Sequence, residues 1–96
     1  MLGAVDHYLG LAARAMGRRV EALQHFERAT QLHTRIGAVP WQHRSRVERL
    51  VTLAETEPGA ALVAVRTLLP DLERLGLVAL AARSRRLELR LAGASA

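Results

Sequence analysis

The chain has no lysine and no cysteine, and it is poor in aromatic residues. Without cysteine it forms neither disulfides nor thiolate metal sites. Without lysine it lacks the residue that a P-loop places on nucleotide phosphates, and no glycine-rich phosphate-binding motif is present. Tyrosine, phenylalanine and tryptophan occur once each, so the core must be built from Leu, Ala and Val. This composition favours helices, because Leu and Ala rank near the top of helix propensity.

The charge of the chain is one-sided. All 14 basic residues are arginine, and the formal net charge of the 96 residues is +5. A nucleic-acid binder or a GC-rich genome would give this composition, and the codon bias is the simpler explanation. The amino-terminus lacks the pattern of a secretory signal, and no apolar run reaches the roughly 18 residues that span a bilayer. We therefore expect a soluble, cytoplasmic protein without a membrane partner.

Apolar residues recur at helical spacing through most of the chain, and no segment alternates with a period of two. The spacing predicts five helices with short connections. Gly37 stands where a left-handed residue ends a helix, and Pro40 and Pro58 stand where proline starts one. Pro70 lies inside the predicted fourth helix, so we expect a kink or break near residues 66–69.

The sequence repeats itself with an offset of 39 residues. The offset matches three segments: Ala22-Leu23 with Ala61-Leu62, Arg35-Ile36-Gly37 with Arg74-Leu75-Gly76, and Arg44-Ser45-Arg46 with Arg83-Ser84-Arg85. We predict one all-α domain over residues 1–96. It contains a helix pair at about 3–37, a second pair at about 40–76 and a terminal helix at about 77–91. Helix pairs of this kind stack side by side, because one pair alone cannot bury its apolar face.

The first pair resembles the tetratricopeptide repeat in its Leu9-Gly10, Gly17, Ala22, Phe26 and Ala29. The resemblance implies antiparallel helix pairs in an α-α superhelix. It also implies that small residues let paired helices approach closely, while Phe26 fills the space between units. The pattern departs from the family at Thr34, where a proline is usual, and in its longer repeat.

The unit length near 40 and the segment 33–41 resemble the helical-repeat regions of large bacterial signalling ATPases and transcriptional regulators. This resemblance implies a scaffold that binds other proteins, as a part or relative of such a regulator. In the family, the first helix of each pair lines a concave groove. Carried onto this chain, the groove positions are predicted to be His7, Leu11, Arg14, Arg46, Leu50 and Arg85.

Arginines are the one constellation in the sequence that indicates a ligand. Arg83, Arg86 and Arg90 share a predicted helix face, and Arg44, Arg46 and Arg49 crowd the third helix. Guanidinium forks suit an acidic protein or peptide. The alternative is a small basic nucleic-acid-associated helical protein. We favour it less, because no Asn or Gln stands beside the arginines to contact bases and few aromatics are present to stack on them.

We expect no catalytic, cofactor or metal site. The four histidines lack ligand spacing and are predicted to face solvent or cap helices. Ser45 and Ser84 are repeat equivalents, which indicates packing rather than a nucleophile. Glutamates near arginine, such as Glu27 and Glu48, are predicted to form surface ion pairs.

The two ends of the predicted array are apolar, whereas a short array normally ends in polar capping helices. The apolar residues are Leu2, Val5 and Leu9 at one end and Leu87, Leu89 and Leu91 at the other. We therefore expect the chain to associate with itself through these end helices.

Overall fold

Five helices joined by turns of three or four residues form the computed structural model, which describes residues 3–95. The helices are α1 (Ala4–Ala15), α2 (Arg19–Arg35), α3 (Val39–Leu53), α4 (Pro58–Arg74) and α5 (Val78–Ser95). No strand occurs in this part of the chain. The predicted all-α class and the predicted number of helices are therefore confirmed. None of the five helices is both long enough and apolar enough to cross a bilayer.

Three of the four turns contain a left-handed glycine. Gly17, Gly37 and Gly76 have φ angles of 77°, 70° and 72°. Each follows the last turn of a helix, where a side chain would be strained, so the predicted helix end at Gly37 is confirmed. The turn between α3 and α4 has no left-handed residue, and Pro58 there begins α4 as predicted.

The predicted break at Pro70 is wrong, because α4 continues without interruption from Pro58 to Arg74. Pro70 itself is exposed, whereas Leu69 and Leu72 on either side of it are buried. The proline removes one backbone hydrogen bond from the helix. Apolar burial on both sides of Pro70 offsets that loss and holds the two halves of α4 in one helix.

The helices form two layers. The first layer contains α1, α3 and α5, and the second contains α2, which packs against α1 and α3, and α4, which packs against α3 and α5. The Cα atoms extend over 41 × 33 × 17 Å, which fits a slab two helices thick. Among the described residues, α2 and α4 do not contact each other. A groove therefore runs between α2 and α4 with α3 beneath it.

Two apolar clusters form the core, and they differ in composition. The cluster between α1 and α2 consists of Ala13, Ala22 and Phe26, with Leu11 at its edge. The cluster between α3, α4 and α5 is larger and aliphatic. Its buried members are Val47, Leu50, Ala61, Val65, Leu68, Leu69, Leu72, Ala81, Leu87 and Leu91.

Candidate interaction sites

A line of polar side chains crosses the layer of α1, α3 and α5. His7 Nδ1 of α1 lies 2.9 Å from Ser45 Oγ of α3. Further along α3, the Oε1 atom of Glu48 accepts hydrogen bonds from Arg14 of α1 at 2.8 Å and from Arg83 of α5 at 3.0 Å. Because three helices meet at this one carboxylate, Glu48 sets their relative positions.

The Glu48 cluster is largely buried. The side chain of Glu48 is only 11% exposed. Arg14 also donates to the Glu48 carbonyl oxygen and to Thr52 Oγ1, both at 3.3 Å, and the Thr52 hydroxyl donates to the Glu48 carbonyl oxygen at 2.9 Å. The prediction of a surface ion pair at Glu48 is therefore wrong. Two guanidinium partners compensate for the desolvation of the carboxylate, which a single exposed pair would not do.

His7 is buried in an aromatic environment. Its ring lies edge-on to those of Tyr8, Phe26 and Trp41, with centroid distances of 5.5, 5.7 and 5.6 Å. Burial lowers the pKa of His7 below 6.5, and the nearby guanidinium of Arg44 lowers it further. The imidazole is therefore neutral at pH 7 and holds α1 against α3 through Ser45.

His33 of α2 is also fully buried, and its ring stacks on Trp41 with a centroid distance of 5.4 Å and an interplanar angle of 26°. Neither ring nitrogen has a hydrogen-bond partner. A Cβ atom added to Gly3 would lie 2.7 Å from His33 Nε2, so the backbone at the start of α1 rests directly on the imidazole. His33 thus occupies its site as an apolar ring.

The prediction that the histidines face solvent or cap helices is wrong for three of the four. His7, His33 and His43 are buried, and only His25, which lies 3.3 Å from Asp6 Oδ1, is partly exposed. Burial, followed by the field of Arg46, lowers the pKa of His43 below 6.5. A neutral imidazole is flat and only weakly polar, so it packs where the sequence supplies few other rings. No three metal-ligating side chains come together within residues 3–95.

The His7–Ser45 pair brings a nucleophile and a base together, but it is sealed inside the protein. Both side chains are buried, so a substrate cannot approach the Ser45 hydroxyl. Its repeat equivalent, Ser84, is likewise fully buried. The burial of both serines agrees with the predicted packing role.

Unpaired arginines mark two surfaces of the molecule. Eight arginines form ion pairs with carboxylates, and the other six form none. The six are Arg35, Arg44, Arg46, Arg49, Arg86 and Arg90. The net positive charge of the chain is therefore concentrated where these side chains cluster.

The first surface, the α3–α5 face, contains Arg44, Arg83, Arg86 and Arg90. A cleft of about 330 Å³ is lined by the three arginines of α5 together with Val51 and Leu87. The Arg44 guanidinium lies 5.0 Å from the centroid of the Trp41 ring and borders a neighbouring cleft of about 520 Å³. The predicted clustering of Arg83, Arg86 and Arg90 on one side of α5 agrees with this geometry.

The second surface is the α2–α4 groove, which lies above α3. Two clefts, of about 360 and 280 Å³, share Arg46 and Arg49 as lining residues. The larger one is completed by Leu50 of α3 and by Ala64, Thr67, Leu68 and Asp71 of α4. The smaller one is completed by Glu27, Thr30 and Gln31 of α2. Arg46 and Arg49 thus lie in the middle of the groove.

Four of the six residues predicted to line a concave groove are partly or wholly enclosed. His7 is 1% exposed, and Leu50 is 6% exposed and belongs to the aliphatic core. The expectation that these two face outward is wrong, because α3 packs against helices on several sides and α1 packs His7 against α3. Leu11 is half-buried beside the α1–α2 core, and Arg14 is held by Glu48.

The remaining two predicted groove residues are exposed, but they lie apart. Arg46 is in the α2–α4 groove. Arg85 of α5 forms an ion pair of 2.9 Å with Glu73 of α4. The six residues therefore do not form one site, and their role in binding stays a prediction.

The end helices expose different amounts of apolar surface. On α1, Val5, Leu9 and Met16 are exposed, together with Tyr8. On α5, Leu87 and Leu91 are buried, and Leu89 is 70% exposed. Leu2 lies outside the described residues. Apolar surface for self-association is therefore available mainly on α1.

Sequence reasoning missed the central position of Glu48. A signal was present, because Glu48 is the only carboxylate in α3 and has arginine directly after it. What the pattern did not show is that Arg14 and Arg83, which are distant in sequence, approach it from two other helices.

No protein-family model, curated protein sequence or solved structure matches this chain.

Proposed function

We propose that this chain is a protein-interaction module without a catalytic centre of its own. Its repeat resembles the tetratricopeptide-like regions of bacterial signalling ATPases and transcriptional regulators, and we propose a cytoplasmic role as a part or relative of such a protein. The partner is a protein or peptide with an acidic segment. The observation that carries this proposal is the α3–α5 face, where arginines without ion pairs border an apolar cleft.

The α3–α5 face suits a carboxylate-bearing segment. Glu48 holds the Arg83 guanidinium at 3.0 Å, which orients this side chain before any ligand arrives. Arg86 and Arg90 are exposed and have no carboxylate partner. Guanidinium groups bind carboxylates through paired hydrogen bonds, and Val51 at the base of the cleft offers contact to an aliphatic side chain.

Charge reversal on α5 tests this proposal. We expect the double variant Arg86→Glu/Arg90→Glu to bind a labelled acidic peptide about tenfold more weakly or worse, because two charge-assisted contacts are lost. Fluorescence polarisation measures the affinity. The double variant Arg18→Glu/Arg35→Glu, at the ends of α2, is the matched control, because both of its arginines are exposed and the change in net charge is the same. An equal loss in both variants would show that only the overall charge matters and would contradict the proposal.

The alternative is a nucleic-acid-associated protein, and the concentration of unpaired arginines on α3 and α5 is the observation that favours it. Salt dependence separates the two functions. Binding to a DNA duplex that rests on phosphate contacts falls steeply as salt is raised, since counterions are released. Binding anchored partly by an aliphatic side chain falls less. A steep salt slope together with tighter binding to DNA than to the acidic peptide would favour the alternative.

Self-association through the end helices remains part of the proposal. The exposed side chains Val5 and Leu9 on α1 support it. Light scattering on a sizing column measures the oligomeric state, and a monomer at all concentrations tested would remove this part of the proposal.

A further inference from the structure

We infer that the α2–α4 groove is a second binding surface, which takes a carboxylate and a neighbouring aliphatic side chain from an acidic segment of a partner protein. The inference rests on the proposed role as an interaction module, but it does not depend on the α3–α5 face. The two surfaces lie on opposite sides of α3, because Arg44 and Arg46 are two residues apart and hence separated by about 200° around a helix.

The charge of the groove is the first argument. Arg49 is half-buried and Arg46 is exposed, and neither forms a hydrogen bond or an ion pair. Of the two carboxylates nearby, Asp71 is engaged by Arg74 at 2.8 Å. Glu27 lines only the α2 side of the groove. A half-buried guanidinium without a carboxylate is costly, so a carboxylate from a partner supplies what this groove lacks.

The shape of the groove is the second argument. Beside Arg46 and Arg49 lies the cleft of about 360 Å³, and its apolar lining comes from Leu50, Ala64 and Leu68. This volume is at the lower end of the range for small-ligand sites, which is enough for one aliphatic side chain with its backbone. An apolar cleft directly beside two arginines selects an acidic residue that stands close to an aliphatic one.

The occupant is a protein segment rather than a nucleic acid. The groove has no aromatic ring on which a base could stack. Gln31 lines its α2 side without a hydrogen-bond partner, so its amide is free to bond a peptide backbone. Occupation of both sides of α3 would let the module hold two segments at once, which raises the overall affinity through effective concentration.

Two variants of the groove test the inference in the full chain. Arg46→Glu/Arg49→Glu reverses its charge, and Ala64→Phe fills the cleft without changing any charge. The probe is a capped, fluorescein-labelled peptide in which two or three glutamates separate successive leucines, and the same peptide with glutamine for glutamate is its control. We expect each variant to bind the acidic peptide about tenfold more weakly, and the glutamine peptide to bind weakly to all variants. Circular dichroism confirms that each variant is folded.

The same titrations separate this inference from the proposed function. Unchanged binding in both groove variants, with a loss only in Arg86→Glu/Arg90→Glu, would overturn the groove and leave the proposed function standing. A loss only in the groove variants would support the groove and remove the α3–α5 face. Absence of binding by the wild-type chain, or an equal loss in Arg18→Glu/Arg35→Glu, would overturn both. Amide shift changes of residues 46, 49 and 64 in the ¹⁵N-labelled chain on adding the peptide would locate the site directly.

Discussion

The first and second helix pairs solve the same packing problem with different side chains. The helices α2 and α4 are each 17 residues long and begin 39 residues apart. At that offset, Phe26 corresponds to Val65, and His33 corresponds to Leu72, and all four are buried. The first pair is therefore closed by aromatic and imidazole rings, whereas the second is closed by aliphatic chains.

The difference shows that a helix pair needs matched volumes more than any one residue type. Phe26 fits because α1 has Gly10 opposite it, where an added Cβ would lie 2.6 Å from the Phe26 ring. In the aliphatic cluster, Val65 is smaller, and α3 has Val47 rather than a glycine. A large residue opposite glycine and two medium residues fill comparable space. The repeat thus preserves its register while its composition changes.

The largest expected effect comes from emptying the aromatic pair. Phe26→Ala should lower the free energy of unfolding by about 3–5 kcal/mol, because the ring is fully buried and a cavity remains. The equivalent change Val65→Ala should cost about 2 kcal/mol, since fewer methylene groups leave the core. Urea unfolding followed by circular dichroism measures both. Equal losses would show that the two pairs do not differ in the way that their side chains suggest.

The next effect concerns the link between the pairs. Glu48→Ala should destabilise the chain by about 3 kcal/mol, because it leaves Arg14 and Arg83 without their shared carboxylate. Glu88→Ala, which removes the more exposed ion pair with Arg66, should cost no more than about 1 kcal/mol. Thermal unfolding of the two variants gives the comparison. A small effect at Glu48 would mean that apolar contacts alone hold α1, α3 and α5 together.

The smallest expected effect is a dependence on pH. The pKa of His7 and that of His43 are lowered by burial, so the unfolded chain takes up protons more readily than the folded one. Their contribution to stability is fully present above about pH 6.5 and is lost as the pH falls below that value. Urea unfolding at about pH 7.5 and about pH 5.5 measures the loss.

The variant His7→Gln, whose amide can still bond Ser45, should flatten this pH profile for the first pair. The variant His43→Gln should flatten it for the contact between α3 and α4, where Asp71 and Arg74 are nearby. Stability that does not change between the two pH values in the wild-type chain would refute the prediction.

Local features of the fold were predictable from the sequence. The helices and their ends follow from apolar spacing and from Gly37, and the close approach at Gly10 and Phe26 was expected from the resemblance. Local rules failed at Pro70, where buried leucines on both sides keep the helix whole. They failed again for the histidines, since burial of a neutral ring leaves no mark in helical periodicity.

The candidate surfaces were only partly predictable. That Arg83, Arg86 and Arg90 share one side of α5 follows from their spacing of three and four residues. That Arg46 lies on the opposite side of α3 from Arg44, and that Leu50 is buried, depended on where α2, α4 and α5 pack. Carrying groove positions over from a resemblance failed at His7 and Leu50, because a shift in the angle between helices moves residues between core and surface.

The sequence by itself determined that the chain is helical, where its turns lie and which residues share a helix face, since these properties depend on neighbours within a few positions. Tertiary structure alone decided which carboxylate meets which arginines. Three side chains separated by more than 30 residues converge at Glu48, and their pairing leaves Arg46, Arg49, Arg86 and Arg90 unneutralised. Partner choice among charges is a property of distances in space, and those distances arise only when the helices pack.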